Sequence, residues 1–301
     1  MFLKKKIEEF TNPYLRQIDE LKNKIEEADY VVVGAGSGLS TSAGMTYDGA
    51  RFDKYFFDFK EKFGIQDMYT GGFYDFPTPE AYWAFWSRNI WINRYMAAPK
   101  NTYEDLLSLV KDKDYFVITT NVDHQFQLAG FDKQRLFYTQ GDYGLFQKKD
   151  DQDHTFDNYA LVRAMIESQG FKINDDNSLS FKKEDIKTEI TPELAEKAKD
   201  YVLNLRIDDD FVEDQGWHRA ASRFNTFIQN CKGKNVVFLE LGVGMNTPVI
   251  IKYPFWSWTL ANSEASFATI DAKRVIYPKE IADRTVAIKG DIDLVLKSLD
   301  Y

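Results

Sequence analysis

The chain has a single cysteine, Cys231, in 301 residues. A lone thiol excludes an intrachain disulfide and any thiolate-rich structural zinc site. Histidine is nearly as scarce: His124, His154 and His218 are the full set, and their spacing fits no metal-ligand pattern, so no metal is assigned. Long apolar runs are missing, none approaching the ~20 residues of a membrane span. The N-terminal MFLKKKIEEF carries lysines without an apolar stretch, so neither a secretory signal nor a membrane partner is read, and a cytoplasmic location is expected. Basic charge is in deficit. A net charge of −9 argues against broad electrostatic binding to nucleic acid. What remains is an ordinary globular composition, 44% hydrophobic and 28% charged, with ample length for a core.

A pass along the chain predicts alternating strands and helices. Residues 2 to 28 read as a helix interrupted or restarted near Pro13, because proline removes a backbone donor. Tyr30 to Val33 suits a buried parallel strand, and Ser40 to Met45 is placed to open a helix. TPEAYWAFWSRNIWINRYMAA (78–98) starts with Thr78 as N-cap and Pro79 at the first helical position, with apolar residues around much of its circumference. NTYEDLLSLVKD (101–112) is an amphipathic helix with asparagine as N-cap. Further strands are YFVITT (115–120), RLFYTQG (135–141), VVFLELGVG (236–244), FATIDA (267–272) and TVAIKGD (285–291). The polar stretches KKDDQDH (148–154) and INDDNSLSFKKEDIK (173–187) read as surface connections. This order predicts an α/β, Rossmann-like, doubly wound parallel sheet, with the ligand beyond the carboxyl ends of its strands.

Two stretches carry chemistry. In VVVGAGSGLSTSAGM (31–45) an apolar strand runs into glycines at 34, 36 and 38 and then into small hydroxylated residues. Glycines permit tight turns and let backbone approach a phosphate closely. The acidic residue that reads a ribose about 20 positions on in dinucleotide-binding folds is not evident: Asp48 and Asp53 fall at that distance with no second strand before them. In TTNVDHQFQLAG (119–130), Thr119 to Asp123 sit at the end of an apolar strand, where side chains reach a bound ligand.

On these residues the chain resembles the sirtuin family, whose hallmark reads T-Q-N-(I/V)-D followed by a short helix ending Ala-Gly. Thr119, Asn121, Val122, Asp123, Ala129 and Gly130 agree, while Thr120 replaces the glutamine. GSGLSTSAGM (36–45) is similar to the family's Gly-Ala-Gly-Ile-Ser loop, with glycines on Gly36 and Gly38. APKNTYEDL (98–106) resembles the helix start before the second strand, GVGMNTPV (242–249) the Gly-Thr-Ser-Leu segment, and KGDIDLVL (289–296) the C-terminal adenine-side segment. The matches keep their order across 31–141 and 236–297. The resemblance implies a Rossmann-like part at about 1–45, 99–141 and 233–301, and a smaller, mostly helical domain from insertions at about 46–98 and 142–232.

Three departures are as informative. The family's Leu-His-Gly, whose histidine is the general base on the ribose, is here Thr139-Gln140-Gly141, and an amide does not take up a proton near neutral pH. The family's zinc ribbon needs two cysteine pairs, which this chain lacks. Its Pro-Asp-Phe-Arg is reduced to Arg51-Phe52. Together these features resemble the class M branch of microbial sirtuins. That resemblance implies an NAD-dependent protein mono-ADP-ribosyltransferase that releases nicotinamide. It also implies a lipoyl-carrying, glycine-cleavage H-like acceptor protein and an operon-linked macrodomain hydrolase.

Asn121, Gln140 and Asp123 are the implied catalytic residues: Asp123 for the nicotinamide carboxamide, Asn121 for the ribose or a water beside it, Gln140 for orienting the ribose. Cofactor contacts are expected from Gly36, Ser37, Gly38, Ser40, Arg51, Phe52, Thr120, Asn121, Val122, Asp123, Gln140, Gly242, Val243, Gly244, Asp271 and Ile292, with Tyr143 and Arg51 toward the acceptor. An NAD glycohydrolase, a non-catalytic NAD or ADP-ribose sensor and a residual deacylase are the alternatives.

Overall fold

The computed structural model describes residues 13–207, 209–246 and 248–299. Helix Pro13–Glu27 is the later part of the first expected helix; residues 2–12 lie outside the described residues. Strand β1 (Tyr30–Ala35) leads into the short helix Ser37–Ser42. A run of helices follows, chiefly Gly49–Tyr55, Phe57–Phe63 and Pro79–Ile90. The last passes into a single π-helical segment, Trp91–Tyr95. Thr78 caps Pro79–Ile90 as expected, its hydroxyl accepting from the Ala81 N–H at 3.2 Å. Helix Thr102–Val110 delivers the chain to β2 (Asp114–Thr119). Asn101 stands at its N-cap position without a side-chain cap.

Beyond β2 the chain forms helix Gln125–Leu128, β3 (Leu136–Tyr138), β4 (Gly141–Lys148) and β5 (Asp151–Asp157). Next come helix Tyr159–Ser168, the two-residue strands β6 (Lys172–Ile173) and β7 (Leu179–Ser180), helix Pro192–Ala198 and β8 (Tyr201–Leu205). Helix Gln215–Asn230 precedes β9 (Val236–Leu241), helix Lys252–Ala261, β10 (Ala265–Asp271), β11 (Thr285–Lys289) and helix Ile292–Leu299.

Six of these strands form one sheet in the order β11-β10-β9-β1-β2-β3, every pairing parallel. Side chains alternate across each strand. Val31 and Val33 therefore join a core with Ile18, Leu21, Ile25, Leu106 and Val295 on one face. Val32 joins Phe116, Phe224, Phe238 and Phe255 on the other. Burial on both faces is what a continuous β-branched strand requires. From β1 the chain moves outward to β2 and β3, then returns to lay β9, β10 and β11 on the opposite side. The order reverses between β1 and β9, where such sheets bind ligands.

The remaining elements form a second core around Phe52, Phe56, Phe59, Phe85, Trp91 and Phe146. It contains helices, a three-stranded antiparallel sheet β5-β4-β8 and the β6–β7 hairpin. KKDDQDH is thus a correction: most of it is the turn and edge strand of the β4–β5 hairpin. The polarity that made it read as a connection reflects an edge strand facing solvent. Residues 142–232 contribute to both cores, because helix Gln215–Asn230 lays Ala220, Phe224 and Ile228 on the large sheet.

Arg88 ties the second core together through its guanidinium. Its side chain is fully buried and all of its donor positions are used. Nε reaches Gln169 Oε1 at 2.7 Å, Nη1 reaches Tyr55 O at 2.8 Å and Asp58 Oδ1 at 2.5 Å, and Nη2 reaches Asp58 Oδ2 at 2.8 Å and Lys187 O at 2.7 Å. The guanidinium also lies over the rings of Phe59 and Phe171.

Candidate active site

A cleft of about 680 Å³ opens at the carboxyl ends of the central strands, between the sheet and the second core. Its volume is that of a cofactor-sized site. Ser37, Ser40, Thr120, Asn121, Val122, Asp123 and Gln140 line it. Two stretches 83 residues apart meet here because β1 and β2 are neighbours, pairing Ala35 with Thr119.

The centre is a closed hydrogen-bond cluster. Ser40 Oγ donates to Asp123 Oδ2 at 2.5 Å. It accepts from Asn121 Nδ2 at 3.1 Å and pairs with Tyr103 Oη at 3.0 Å. A serine hydroxyl has one proton and two lone pairs, so with its proton on Asp123 it accepts from both Asn121 and Tyr103. Asn121 Nδ2 also donates to Gly36 O at 3.0 Å. A carbonyl oxygen only accepts, which fixes the orientation of the Asn121 amide and leaves its Oδ1 as the acceptor offered to the cleft.

Asp123 is buried; its Oδ1 accepts from the Gln125 N–H at 3.2 Å and so also serves the short helix that follows. Burial pushes its carboxyl above the usual carboxylate range, and the Ser40 and Gln125 donors offset part of that rise. Gln140 follows β3. Its backbone oxygen accepts from the Arg206 N–H at 3.0 Å, while its side-chain amide has no hydrogen-bond partner among the described residues and faces the cleft. No histidine lines the cleft among those residues.

The other expected cofactor contacts are not among the residues that line the cleft. Gly36 and Gly38 spend their N–H groups on Leu241 O and Gly242 O, each at 3.0 Å. An added Cβ on Gly36 or Gly38 would lie 2.7 or 2.6 Å from Gly242. Close packing of the two turns therefore requires these glycines. Val243 is buried, and among the described residues nothing lies within 4 Å of a Cβ added to Gly244. Asp271 ends β10 with Oδ1 accepting from the N–H groups of Lys273 and Arg274. Ile292 is buried at the start of the last helix, a helix tied to the glycine loop by Ser42 Oγ donating to Asp291 Oδ1 at 2.8 Å.

Phe52 is stacked on Phe56 in the second core. Arg51 donates to Thr46 O, Asn93 Oδ1 and Ile92 O, bracing the π-helical segment against the loop before it. Tyr143 lines the cleft and shares a 2.9 Å hydrogen bond with Tyr47.

Sequence reasoning missed Tyr47, Trp86, Asn93, Tyr103, Asn246 and Lys273. Tyr103 completes the central cluster and the other five line the cleft. Asn93 and Trp86 sit inside the aromatic helical run, where spacing alone marks core. The π-helical segment that presents Asn93 leaves no separate mark in the sequence.

The architecture defines a sirtuin fold. Among solved structures, a Sir2 enzyme studied for the mechanism and regulation of that class aligns over 95% of this chain and 97% of its own, with a TM-score of 0.55 at 16% identity. Sir2Tm bound to a propionylated peptide aligns over 93% and 95%, with a TM-score of 0.50 at 15% identity. No protein-family model matches the chain. A protein ADP-ribosyltransferase of Staphylococcus aureus is 33% identical over 284 residues, 93% of this chain and 86% of that protein. A probable bifunctional ADP-ribose hydrolase/ADP-ribosyltransferase of Fusarium oxysporum is 28% identical over 239 residues, 76% of this chain but 38% of that protein. The chain belongs to the protein ADP-ribosyltransferases built on the sirtuin fold.

Proposed function

We propose that the protein is an enzyme that transfers the ADP-ribose of NAD to a protein acceptor and releases nicotinamide. The observation that carries this reading is the convergence of Asn121, Asp123 and Gln140 on one cleft at the sheet's switch point, with no histidine lining it. In the transfer, the bond between nicotinamide and C1′ breaks with its electron pair going to nicotinamide. A lone pair of the acceptor forms the new bond to C1′, and the acceptor's proton passes to solvent. Asp123 holds the nicotinamide carboxamide, Asn121 Oδ1 accepts from a ribose hydroxyl, and Gln140 orients the ribose with an amide that has no hydrogen-bond partner among the described residues. Ser37 and the turns at 36–38 and 242–244 hold the phosphates and the adjoining ribose, while the Ser40 hydroxyl, shared among Asp123, Asn121 and Tyr103, positions the first two of these. None of these steps asks a side chain to take up a proton near neutral pH. Deacylation by way of a ribose hydroxyl would need such a base.

The reading extends to a cytoplasmic enzyme whose two cores correspond to the cofactor and acceptor sides, with a lipoyl-carrying, glycine-cleavage H-like protein as acceptor. Met68, Tyr69, Phe73, Trp86 and Tyr143 line the acceptor side of the cleft, an apolar wall suited to a long hydrocarbon arm. A macrodomain hydrolase that removes the modification fits alongside, since the Fusarium relative's name joins the two activities in one chain.

Tagged NAD supplied with the purified lipoylated carrier, its unlipoylated form, or lysate from the protein's own source tests all of this. The expected result is nicotinamide release with tag on the lipoylated carrier alone. Tag on another band removes the carrier assignment, and nicotinamide without any labelled protein replaces the transferase with a glycohydrolase. Tight NAD binding without turnover in any mixture marks a sensor.

A further inference from the structure

His124 is a residue the transfer chemistry leaves unused, and its backbone is held in an unfavourable place. It follows Asp123 directly and adopts φ +62°, one of two non-glycine residues with positive φ among those described. Glycine or asparagine occupies that region at less cost than an imidazole-bearing residue. His124 is not among the residues that line the cleft, and its Nδ1 lies 2.5 Å from Asp142 Oδ2. The other oxygen of Asp142 accepts from Arg94 Nε at 2.7 Å and from the Gly144 N–H at 2.7 Å. Burial alone would raise the Asp142 carboxyl; His124, Arg94 and the Gly144 N–H outweigh it and hold it below the usual carboxylate range.

These contacts bracket Gln140. On its N-terminal side Thr139 N–H donates to Thr119 O at 2.9 Å, and on its C-terminal side Tyr143 N–H donates to Val122 O at 2.9 Å. Between them lies Gly141 at φ +97°, where an added Cβ would fall 1.9 Å from Asn204 O. The backbone of 140–142 is thus pressed against β8. Thr139 Oγ1 donates to Thr119 O at 3.1 Å; beyond Gln140, the side-chain link among the described residues back to the segment after β2 is His124 to Asp142, with Arg94 bringing in the π-helical segment.

We infer that His124, Asp142 and Arg94 form a positioning clamp: they hold the Gln140 amide in register with Asn121 and Asp123, and the rate of transfer depends on that register. The inference rests on the transferase reading for its kinetic consequence and on geometry alone for its structural one. His124 does not stand in for the family's base, because it lies outside the cleft lining and its Nδ1 is engaged.

Two substitutions separate the clamp from backbone strain. His124→Gly relieves the left-handed backbone and removes the ring. His124→Asn tolerates the same backbone and places an amide nitrogen where Nδ1 was, two bonds from Cβ. Misplacing a reacting group by about 1 Å costs up to ~100-fold in rate. The expected result for His124→Gly is therefore a kcat for nicotinamide release about tenfold or more lower, a KM for NAD within about threefold, an unchanged Tm, and faster hydrogen–deuterium exchange at 139–144. His124→Asn is expected to recover most of the kcat and the protection. Wild-type exchange at 139–144 in His124→Gly overturns the clamp whether or not the protein turns over NAD, and so does a wild-type kcat. Absence of nicotinamide release from the unsubstituted protein would instead count against the transferase reading, leaving exchange to decide the clamp.

Discussion

Ser40 Oγ and Asp123 Oδ2 lie 2.5 Å apart, so the helix after β1 and the end of β2 share one hydrogen bond at the floor of the cleft. The same hydroxyl accepts from Asn121 and pairs with Tyr103. Ser40→Ala would leave three buried polar groups short of a partner at once. Each such group costs about 1–3 kcal/mol. Part of that cost falls on Asn121 and Asp123 as lost orientation. The expected outcome is a kcat about tenfold or more lower, since 1.4 kcal/mol is a factor of ten, and a measurably lower denaturation midpoint. Ser40→Ala with a wild-type kcat would remove Ser40 from the site.

Burial raises the Asp123 carboxyl, and this has a signed consequence for stability. Its pKa is higher folded than unfolded, so between those two values the folded protein binds more protons. Stability then falls as pH rises through that window. Ionised Asp123 is therefore an expense that the fold bears for the site. Asp123→Asn is expected to match or exceed the parent's stability at pH 7 while losing most of its activity. The parent's rate is expected to fall in acid at a pH above the ordinary carboxylate range, and an ordinary carboxylate limb would show that another group governs it. Denaturation midpoints and a kcat/KM profile against pH check both parts.

The large sheet was legible because its strands obey one rule from end to end. Val31 to Val33, Phe116 to Ile118 and Val236 to Leu239 are apolar on both faces, and each run stops at glycine or a polar residue where the ligand site begins. Asn121, Asp123 and Gln140 each follow the carboxyl end of a strand, but it was the resemblance to the sirtuin hallmarks, not the strand pattern, that singled them out. The second core was not. Its helix Pro79–Ile90 buries every residue from Trp83 to Ile90, so periodicity does not say which face Trp86, or Asn93 just beyond it, presents. Its edge strand Asp151–Asp157 has the composition of a loop. His124 also escaped, because a positive φ and a partner 18 residues away leave no pattern in the sequence.

Arg88 is where the second core is most exposed to a single change. Five donor contacts converge on one planar group, and lysine offers three donors without the fork. Removing one partner of a buried ion pair costs about 3–5 kcal/mol. Arg88→Lys and Arg88→Ala are both expected to lower unfolding free energy by that order in a urea titration. A loss under about 1 kcal/mol would mean that the aromatic packing holds this core unaided.

The glycines at the switch point separate two reasons for having no side chain. Gly38 and Gly242 face each other so closely that a Cβ on Gly38 would lie 2.6 Å from the Gly242 Cα, and one on Gly242 would lie 2.5 Å from the Gly38 Cα. Gly242 also sits at φ +61°. Gly38→Ala must therefore push the β1 and β9 turns apart, with an overpacking cost of about 1–3 kcal/mol and a raised KM for NAD. Among the described residues, nothing lies near a Cβ added to Gly244, and its φ is not positive. Gly244→Ala is expected to leave stability within about 0.5 kcal/mol, so any rise in KM for NAD at this position reports backbone approach to the ligand rather than packing. If Gly244→Ala leaves both KM and Tm unchanged, Gly244 is removed from the cofactor contacts. The phosphate side of the cleft then rests on Ser37 and the closely packed pair.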